Sequence, residues 1–448
     1  AFFLTLVAIQ VLSTRYSFNA SIMPLVLLIL LVVVPMNVGE SPTNVTHAMF
    51  YNRFGWAAIT ILFLFFIEPV KKSKILTLID VVAISGILLF LFYTKITYFV
   101  AGLTFIPIMA LGTHYNRLVA IRAFAGMCIG ILSIELLFGF TIPYLHDIIM
   151  TIDSSGPIRK GLFKSLYINN FQYLIAGFTA LIIFWFRGLR FSEYVYVLFV
   201  SAMGIAIINQ NAQHYGIPCL LAIILWAHET TRRETSKERK EVHKSAGLVP
   251  VKFVILVLLF IFVSQPIMNR VHGMSAYRIK KSQIEYPQVD ALRGIRIGEK
   301  ESLLGEVLNG GNRHELFFKL RDLNHKQALT QGEYMETVMD GVKLLKNIET
   351  TNKSLMVIDL ANPFTFIMSM KPPKGDYSFI HPGRNISKKN HIPAEELFRT
   401  VDYIMWPIFP MQRLTPELSE TIYGDYIKKV YQISAQSNFW TLYAKKLT

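Results

Sequence analysis

Two basic residues interrupt otherwise apolar stretches of this sequence. Lys95 lies in YTKITY, between apolar runs at about 77–93 and 96–112 with almost no loop, and Arg53 lies in YNRFGWA. Ionisable side chains at membrane depth are costly and usually functional. A lysine and an arginine at similar depth suit a pyrophosphate or a lipid phosphate, so we expect Arg53 and Lys95 to bind substrate. The structural alternatives are a snorkelling lysine beside a tight hairpin and an arginine that anchors the membrane interface.

Other polar residues lie in loops that we place on the same side of the membrane. Glu40 and His47 precede Arg53, and His214 lies in NQNAQHYG, a segment rich in amide donors and acceptors. One of Glu40, His47 and His214 is the expected general base for an acceptor hydroxyl. Further substrate-binding residues are expected at Glu135, Asn209, Gln210 and Asn211. A helix-packing hydrogen bond for the glutamate and a capped turn for the amides are the alternatives.

No metal or cofactor site is predicted. The sequence has no HExxH, no DxD and no His/Cys pair at ligand spacing in an outer loop. Gly310 and Gly311 stand in a polar stretch, and neither a GxGxxG turn after a strand nor a P-loop is present. These patterns therefore give no reason to expect a nucleotide-binding domain or a metal centre.

The composition predicts a membrane protein. Of 448 residues, 52% are hydrophobic and 17% are charged, whereas soluble proteins have about 25% charged residues. Disordered, fibrous and disulfide-stapled proteins are excluded. A helix needs about 20 apolar residues to span a bilayer, and apolar runs occur at about 1–12, 22–38, 54–69, 77–93, 96–112, 118–140, 173–187, 191–208, 213–228 and 249–268. We predict an α-helical polytopic membrane protein with about nine or ten transmembrane helices, and we expect that further spans precede Ala1.

The net charge of +15 predicts orientation. Residues 1–268 carry 20 Lys and Arg and 11 Asp and Glu, whereas residues 269–448 carry 25 and 19. We therefore divide the chain into a transmembrane domain (1–268) and an extracytoplasmic soluble domain (269–448). Basic residues in short loops mark the cytoplasmic side, and they cluster after every second run, at 71–74, 117–122, 187–190 and 228–244. The basic charge thus indicates topology, and no nucleic-acid partner is expected.

The soluble domain is predicted to be mixed α/β. Helices are expected at 332–349, 393–399 and 416–431, strands at 354–364 and 401–407, and a terminal hairpin near Asn438. Alternating strands and helices favour a small three-layer fold with a partly parallel sheet. Both cysteines, Cys128 and Cys219, lie in predicted spans, so no disulfide is expected in this domain, which suits a bacterial envelope protein.

The segment FLFYTKITYFVAGL, with an outward-facing basic residue at a broken span, resembles the Ser-Arg signature region of bacterial O-antigen polymerases and ligases. YNRFGWA and NQNAQHYGIPCLL resemble signature stretches of related envelope-polysaccharide proteins, over roughly residues 50–230. The resemblance implies a many-span fold and a polyprenyl-pyrophosphate-linked glycan donor on the far side of the membrane. The chain departs from that family in having Lys95 in place of arginine and a large C-terminal domain. C-type membrane glycosyltransferases also carry far-side domains, but usually show an acidic pair where this chain has Glu40 alone.

Together these features predict a glycosyltransferase, polymerase or ligase, independent of metal, in envelope polysaccharide assembly. It would act at the outer face of the bacterial inner membrane, with its C-terminal domain in the periplasm. Its expected partners are the polyprenyl-linked glycan donor, a glycan acceptor and membrane lipid. A transporter or flippase of a lipid-linked sugar is the alternative, although no clear internal repeat supports it. A non-catalytic assembly protein is a third hypothesis.

Overall fold

The chain forms two compact units in a computed structural model that describes residues 1–38, 50–154, 171–211, 216–238, 248–279, 283–285, 289–293, 296–298, 331–375, 377, 380–383, 385–411 and 414–446. One unit comprises Ala1–Pro143 and Ile158–Ile279, and the other comprises Tyr144–Pro157 and Lys280–Thr448. The main boundary lies after Ile279 and not at Met268, because the last helix of the first unit continues through Met268.

The first unit, called the helical unit here, is built from apolar helices. They are α1 (Phe2–Arg15), α2 (Phe18–Val33), α3 (Phe50–Leu64), α4 (Lys74–Thr94), α5 (Ile96–Ala110), α6 (His114–Phe138), α7 (Thr141–Ser154), α8 (Phe171–Arg187), α9 (Phe191–Asn211), α10 (Leu221–Glu238, after a 3₁₀ turn at Pro218–Leu220) and α11 (Leu248–Ile279). Every predicted apolar run overlaps one of these helices. Helix α7, which enters the second unit, was not predicted.

Four helices in the described part of the chain are long and apolar enough to cross a membrane, by length and composition. They cover Lys74–Thr94, His114–Phe138, Phe191–Gln210 and Val251–Ser275, whereas α1, α2 and α5 are apolar but shorter. Helix α6 exposes large apolar side chains, including Ile129, Leu132 and Leu136. Exposed apolar surface of this extent is typical of contact with lipid or another protein, and these helices indicate a membrane-associated protein.

The C-terminal unit contains a small sheet. Strands β1 (Gln283–Glu285) and β2 (Arg296–Gly298) pair antiparallel, and helix α12 (Gln331–Lys346) follows. The remaining elements are β3 (Leu355–Val357), α13 (Phe364–Ile367), α14 (Ala394–Leu397), β4 (Tyr403–Pro407), α15 (Leu414–Val430), β5 (Tyr431–Gln436) and β6 (Trp440–Lys445). The second sheet has the order β3-β4-β6-β5, with β3 and β4 parallel and the other pairs antiparallel.

The predicted elements of this unit are confirmed, except that the first strand is shorter. The terminal hairpin turns at Ser437–Phe439, and the parallel pair is present. Strand β3 ends at Val357 because the chain then folds back: the Asn362 amide donates to the carbonyl of Leu355 at 3.0 Å. An asparagine side chain that bonds to nearby backbone competes with the strand ladder.

The sheet separates two hydrophobic cores. Leu355 and Val357 face one core, which α12 also enters, whereas Met356 and Ile358 face the other, which includes Tyr423 of α15. This alternation follows from the two-residue period of side chains along a strand. The arrangement is the predicted three-layer α/β fold.

Gly341 permits close packing of α12 in this unit. A Cβ atom at position 341 would lie 2.5 Å from Cζ of Phe364 and 3.0 Å from Nε1 of Trp440, which donates to the Thr337 carbonyl at 2.7 Å. Overpacking a well-filled core costs about 1–3 kcal/mol. We expect Gly341→Ala to lower the free energy of unfolding of the C-terminal unit by that amount, measured by pulse proteolysis of the full chain.

Helix α8 offers a matched control for this substitution. A Cβ atom at Gly177 would meet no atom within 4 Å, so Gly177→Ala should be neutral or stabilising through its better helix propensity. If Gly341→Ala and Gly177→Ala change the free energy of unfolding of the C-terminal unit equally, the close contact with Phe364 does not explain the glycine at position 341.

Candidate functional site

The helix break predicted at Lys95 is present. Lys95 ends α4, where its N–H donates to the Leu91 carbonyl at 2.9 Å, and it directly precedes α5. Its backbone is extended, with φ −163° and ψ 113°. One residue outside helical geometry is therefore enough to separate the two helices and to hold the lysine at their junction.

The Lys95 ammonium group is directed at the first turn of α3. Its Nζ donates to Oδ1 of Asn52 at 2.8 Å and lies 5.1 Å and 5.8 Å from the ring centroids of Tyr51 and Tyr98. Both distances are within the range of cation–π attraction. The amide and the two rings thus fix a positive charge at the junction of α4 and α5.

Arg53 lies on the same turn of α3 and is buried. Its Nη1 donates to the Val34 carbonyl and, at 3.5 Å, to the Val32 carbonyl, and its guanidinium carbon lies 5.7 Å from the Phe54 ring centroid. The last carbonyls of a helix lack intrahelical partners and carry partial negative charge. Arg53 therefore caps α2 from inside the protein. We call Arg53, Lys95, Asn52, Tyr51 and Tyr98 the cationic corner.

Arg270, which the sequence analysis missed, is a further buried cation. It lies on α11 within the candidate span Val251–Ser275 and is only 4% exposed. Its Nη1 donates to the carbonyl of Pro266, one turn back, at 3.2 Å, and the charge of Arg53 reaches it electrostatically. The usable signal was the one arginine within the apolar segment Val251–Ser275, which continues past Met268.

Glu135 does not join the cationic corner. Its carboxylate accepts hydrogen bonds from the N–H groups of Thr141 and Ile142 at 2.7 and 3.3 Å, which places negative charge at the N-terminus of α7. That position is electrostatically favourable. The Thr141 hydroxyl also bonds to that of Tyr93 on the last turn of α4, at 2.7 Å. Glu135 therefore caps the N-terminus of α7 in this structure.

The predicted amide cluster is only partly described. Asn209 and Gln210 lie on the last turn of α9, and no hydrogen bond or ion pair between them and Arg53 or Lys95 occurs in the described ranges. Asn211 ends that helix. The predicted catalytic residues Glu40, His47 and His214 lie outside the described residues. Among the described candidates, Arg53 and Lys95 therefore meet at the first turn of α3, and Asn209 and Gln210 form no hydrogen bond with either.

A second charged group is buried at the opposite end of α4. Arg15 and Asp80 form an ion pair with both side chains completely buried. Asp80 also accepts from Nε2 of Gln10 at 2.8 Å and from the Tyr115 hydroxyl at 2.6 Å. The ends of α1, α4 and α6 are joined through one carboxylate, which has a donor on each side and is suited to a structural role.

This ionic network extends to α10. Glu229 is completely buried and accepts from Arg232 and Arg233 at 2.6–2.8 Å, and Arg233 donates onward to the Arg15 carbonyl at 2.7 Å. The first turn of the basic stretch at 228–244 is part of the protein interior. Glu229 compensates the two arginines there.

Glu68 lies near this network in the connection between α3 and α4. Burial raises the pKa of its carboxyl, but hydrogen bonds from Lys72 and Thr113, with the charges of Lys72 and Arg233, outweigh burial and hold that pKa below its usual value. Glu68 is therefore ionised near neutral pH and pairs with Lys72 at 2.8 Å.

The two ends of the helices thus differ in chemistry. The network around Asp80 pairs each buried acid with a base, whereas the residues of the cationic corner contribute two positive charges, an amide and two aromatic faces. Over the described part of the chain, no three His, Cys, Asp or Glu side chains are grouped closely enough to hold a metal ion. What the cationic corner can do chemically is bind an anion through fixed donors.

Comparison with known proteins adds no relationship to these observations. No protein-family model, no curated protein sequence and no solved structure matches this chain.

Proposed function

We propose that this chain is a polytopic membrane glycosyltransferase of the polymerase or ligase type, which takes a glycan from a polyprenyl-pyrophosphate carrier. The observation that supports it is the convergence of Lys95 and Arg53 on the first turn of α3, beside a break between two apolar helices. Fixed positive charge in a water-poor site stabilises negative charge that develops in a transition state.

In that reaction the acceptor hydroxyl oxygen attacks the anomeric carbon of the carrier-linked sugar. The bond from that carbon to the pyrophosphate oxygen breaks, the pyrophosphate retains the electron pair, and the hydroxyl proton passes to a general base. Lys95 and Arg53 would hold the leaving pyrophosphate, with Glu40, His47 or His214 as the proposed base. Asn209, Gln210 and Asn211 would contact sugar.

The proposal includes a membrane topology. The basic end of the helices, with Lys71, Lys72 and Lys74, would face the cytoplasm of a bacterial inner membrane, and the cationic corner and the C-terminal unit would face the periplasm. Helix α1 has 14 residues and is about 21 Å long at 1.5 Å per residue, less than the ~30 Å hydrocarbon core. The shorter helices would therefore span only with local bilayer thinning.

The direct test is release of polyprenyl pyrophosphate by the purified full chain in nanodiscs. The probe is undecaprenyl-pyrophosphate-linked N-acetylglucosamine oligosaccharide, which serves as both donor and acceptor. We expect the parent protein to release the carrier and lengthen the glycan, and Lys95→Ala to lose this activity. Lys74→Ala, which alters an exposed lysine at the other end of α4, is the matched control and should behave as the parent.

Two results would count against the assignment. Equal rates for Lys95→Ala and Lys74→Ala would remove Lys95 from the reaction. Movement of the lipid-linked probe between leaflets of a liposome, without any bond cleavage, would identify a flippase in its place.

A further inference from the structure

Arg270 is a buried cation whose hydrogen-bonding capacity is largely unused. Its Nε has no hydrogen-bond partner, and its Nη1 reaches only the Pro266 carbonyl on its own helix. In the described part of the chain Arg270 forms no ion pair. A guanidinium has five N–H donors in a planar fork, so most of this donor set has no acceptor among the described residues.

Such a residue is unfavourable for the unliganded fold. Burying a charge without a compensating partner is costly, and ionisable groups within membrane-spanning helices are usually functional for that reason. The neighbouring Arg53 adds repulsion between like charges. By contrast, Arg15, which is buried at the other end of the helices, is paired with Asp80. The fold therefore compensates one buried arginine internally, whereas no acid among the described residues pairs with Arg270.

Arg270 and Arg53 are brought together by α2. Helix α11, which carries Arg270, packs against α2, and Arg53 of α3 donates to the carbonyls at the C-terminal end of α2. Two guanidinium groups from different helices are thus close enough that the charge of Arg53 acts on Arg270. Helices α3 and α11 are separated by most of the unit's sequence, so this proximity exists only in the folded protein.

We propose that Arg270 and Arg53 form a two-arginine site for a phosphate-bearing anion. Guanidinium groups bind phosphate oxygens through paired, charge-assisted hydrogen bonds, and two of them match the several oxygens of a pyrophosphate. The identity of the ligand rests on the proposed function: if the protein is the proposed glycosyltransferase, the anion is the pyrophosphate of the glycan carrier, and Lys95 binds it as well. A phospholipid headgroup presents the same chemistry and is the other source.

Binding is tested with the full chain in phosphatidylcholine nanodiscs. The probes are geranylgeranyl pyrophosphate and, separately, phosphatidylglycerol, and the variants are Arg270→Met and Arg270→Lys. Methionine keeps an unbranched chain without charge, and lysine keeps the charge without the fork. We expect Arg270→Met to weaken pyrophosphate binding at least tenfold and Arg270→Lys to weaken it less. Arg117→Met, at an exposed arginine at the other end of the helices, should bind as the parent.

Thermal unfolding separates a binding role from a structural one. Because no acid in the described part of the chain pairs with Arg270, Arg270→Met without probe should unfold at the same temperature as the parent or at a higher one. The pyrophosphate probe should raise the unfolding temperature of the parent, since a ligand stabilises the state that it binds, but not that of Arg270→Met. A structural arginine would instead give a lower unfolding temperature and an unchanged affinity.

The outcomes distinguish this site from the proposed function. The protein could bind the pyrophosphate probe in a way that depends on Arg270 and yet transfer no glycan. That result would support the two-arginine site and reject the proposed glycosyltransferase. Binding of phosphatidylglycerol alone, with the same dependence, would assign the site to a lipid headgroup. Affinities for both probes that do not change in Arg270→Met would overturn the inference. If Arg270→Met fails to fold, unchanged affinities in Arg270→Gln, which also removes the charge, would overturn it.

Discussion

Replacing Asp80 with alanine is expected to lower the free energy of unfolding of the helical unit by about 3–5 kcal/mol. The carboxylate is completely buried and accepts from Arg15, Gln10 and Tyr115. Removing it leaves the Arg15 charge in the interior without a partner, and this desolvation penalty is larger than the value of any single hydrogen bond. Three helix ends would lose their common acceptor.

The change can be measured with a buried thiol. The chain has two cysteines, of which Cys128 is exposed and Cys219 is buried. In a Cys128→Ala background, a thiol-reactive dye therefore reports the unfolding of the helical unit around Cys219. Titration with denaturing detergent at constant lipid would give the free-energy difference between parent and variant.

Two controls separate the charge from the contacts. Tyr115→Phe removes one hydrogen bond to Asp80 and should cost about 1 kcal/mol. Arg15→Leu with Asp80→Leu removes both charges and should recover most of the stability lost in Asp80→Ala, because an apolar pair can replace a buried ion pair at little cost. A double variant as unstable as Asp80→Ala would mean that packing, and not the unpaired arginine, dominates at this position.

Loss of the two cations of the cationic corner should have the largest effect on activity. If Lys95 and Arg53 stabilise the leaving pyrophosphate, Lys95→Ala and Arg53→Gln should each reduce the transfer rate by roughly 10²–10³-fold. The rate should fall with little change in KM, because the charge they stabilise develops in the transition state. Glutamine is chosen at position 53 because its amide N–H keeps a donor for the Val34 carbonyl.

The double variant and a conservative variant sharpen this prediction. Both cations act on one leaving group, so their combined effect should be smaller than the product of the single effects. Lys95→Arg keeps the charge at the helix junction and should retain most activity. The initial rate of polyprenyl pyrophosphate release measures all four proteins at matched membrane levels. Single-variant rates within twofold of the parent would be incompatible with the proposed role.

The sequence by itself determined the helices and the elements of the C-terminal unit. Each apolar run predicted from its length became a helix, and Lys95 was recognised as a break because the run around it exceeds one untilted span. The short apolar run in SLMVIDL predicted a buried strand, and the apolar spacing in the 332–349 segment predicted a helix. Together with the other elements they predicted the three-layer fold that the structure shows. These features follow from short-range periodicity, which one stretch of sequence contains in full.

Tertiary structure alone decided which charges are paired. Asp80 finds Arg15 from another helix, Glu135 caps the next helix and so leaves the candidate site, and Arg270 comes within reach of Arg53 through α2. Pairing depends on the distance and burial of residues far apart in the chain, and the period of a helix contains no information about either. For this reason local signals in the sequence predicted Arg53 and Lys95, whereas the relation of Arg270 to Arg53 was found only in the folded structure.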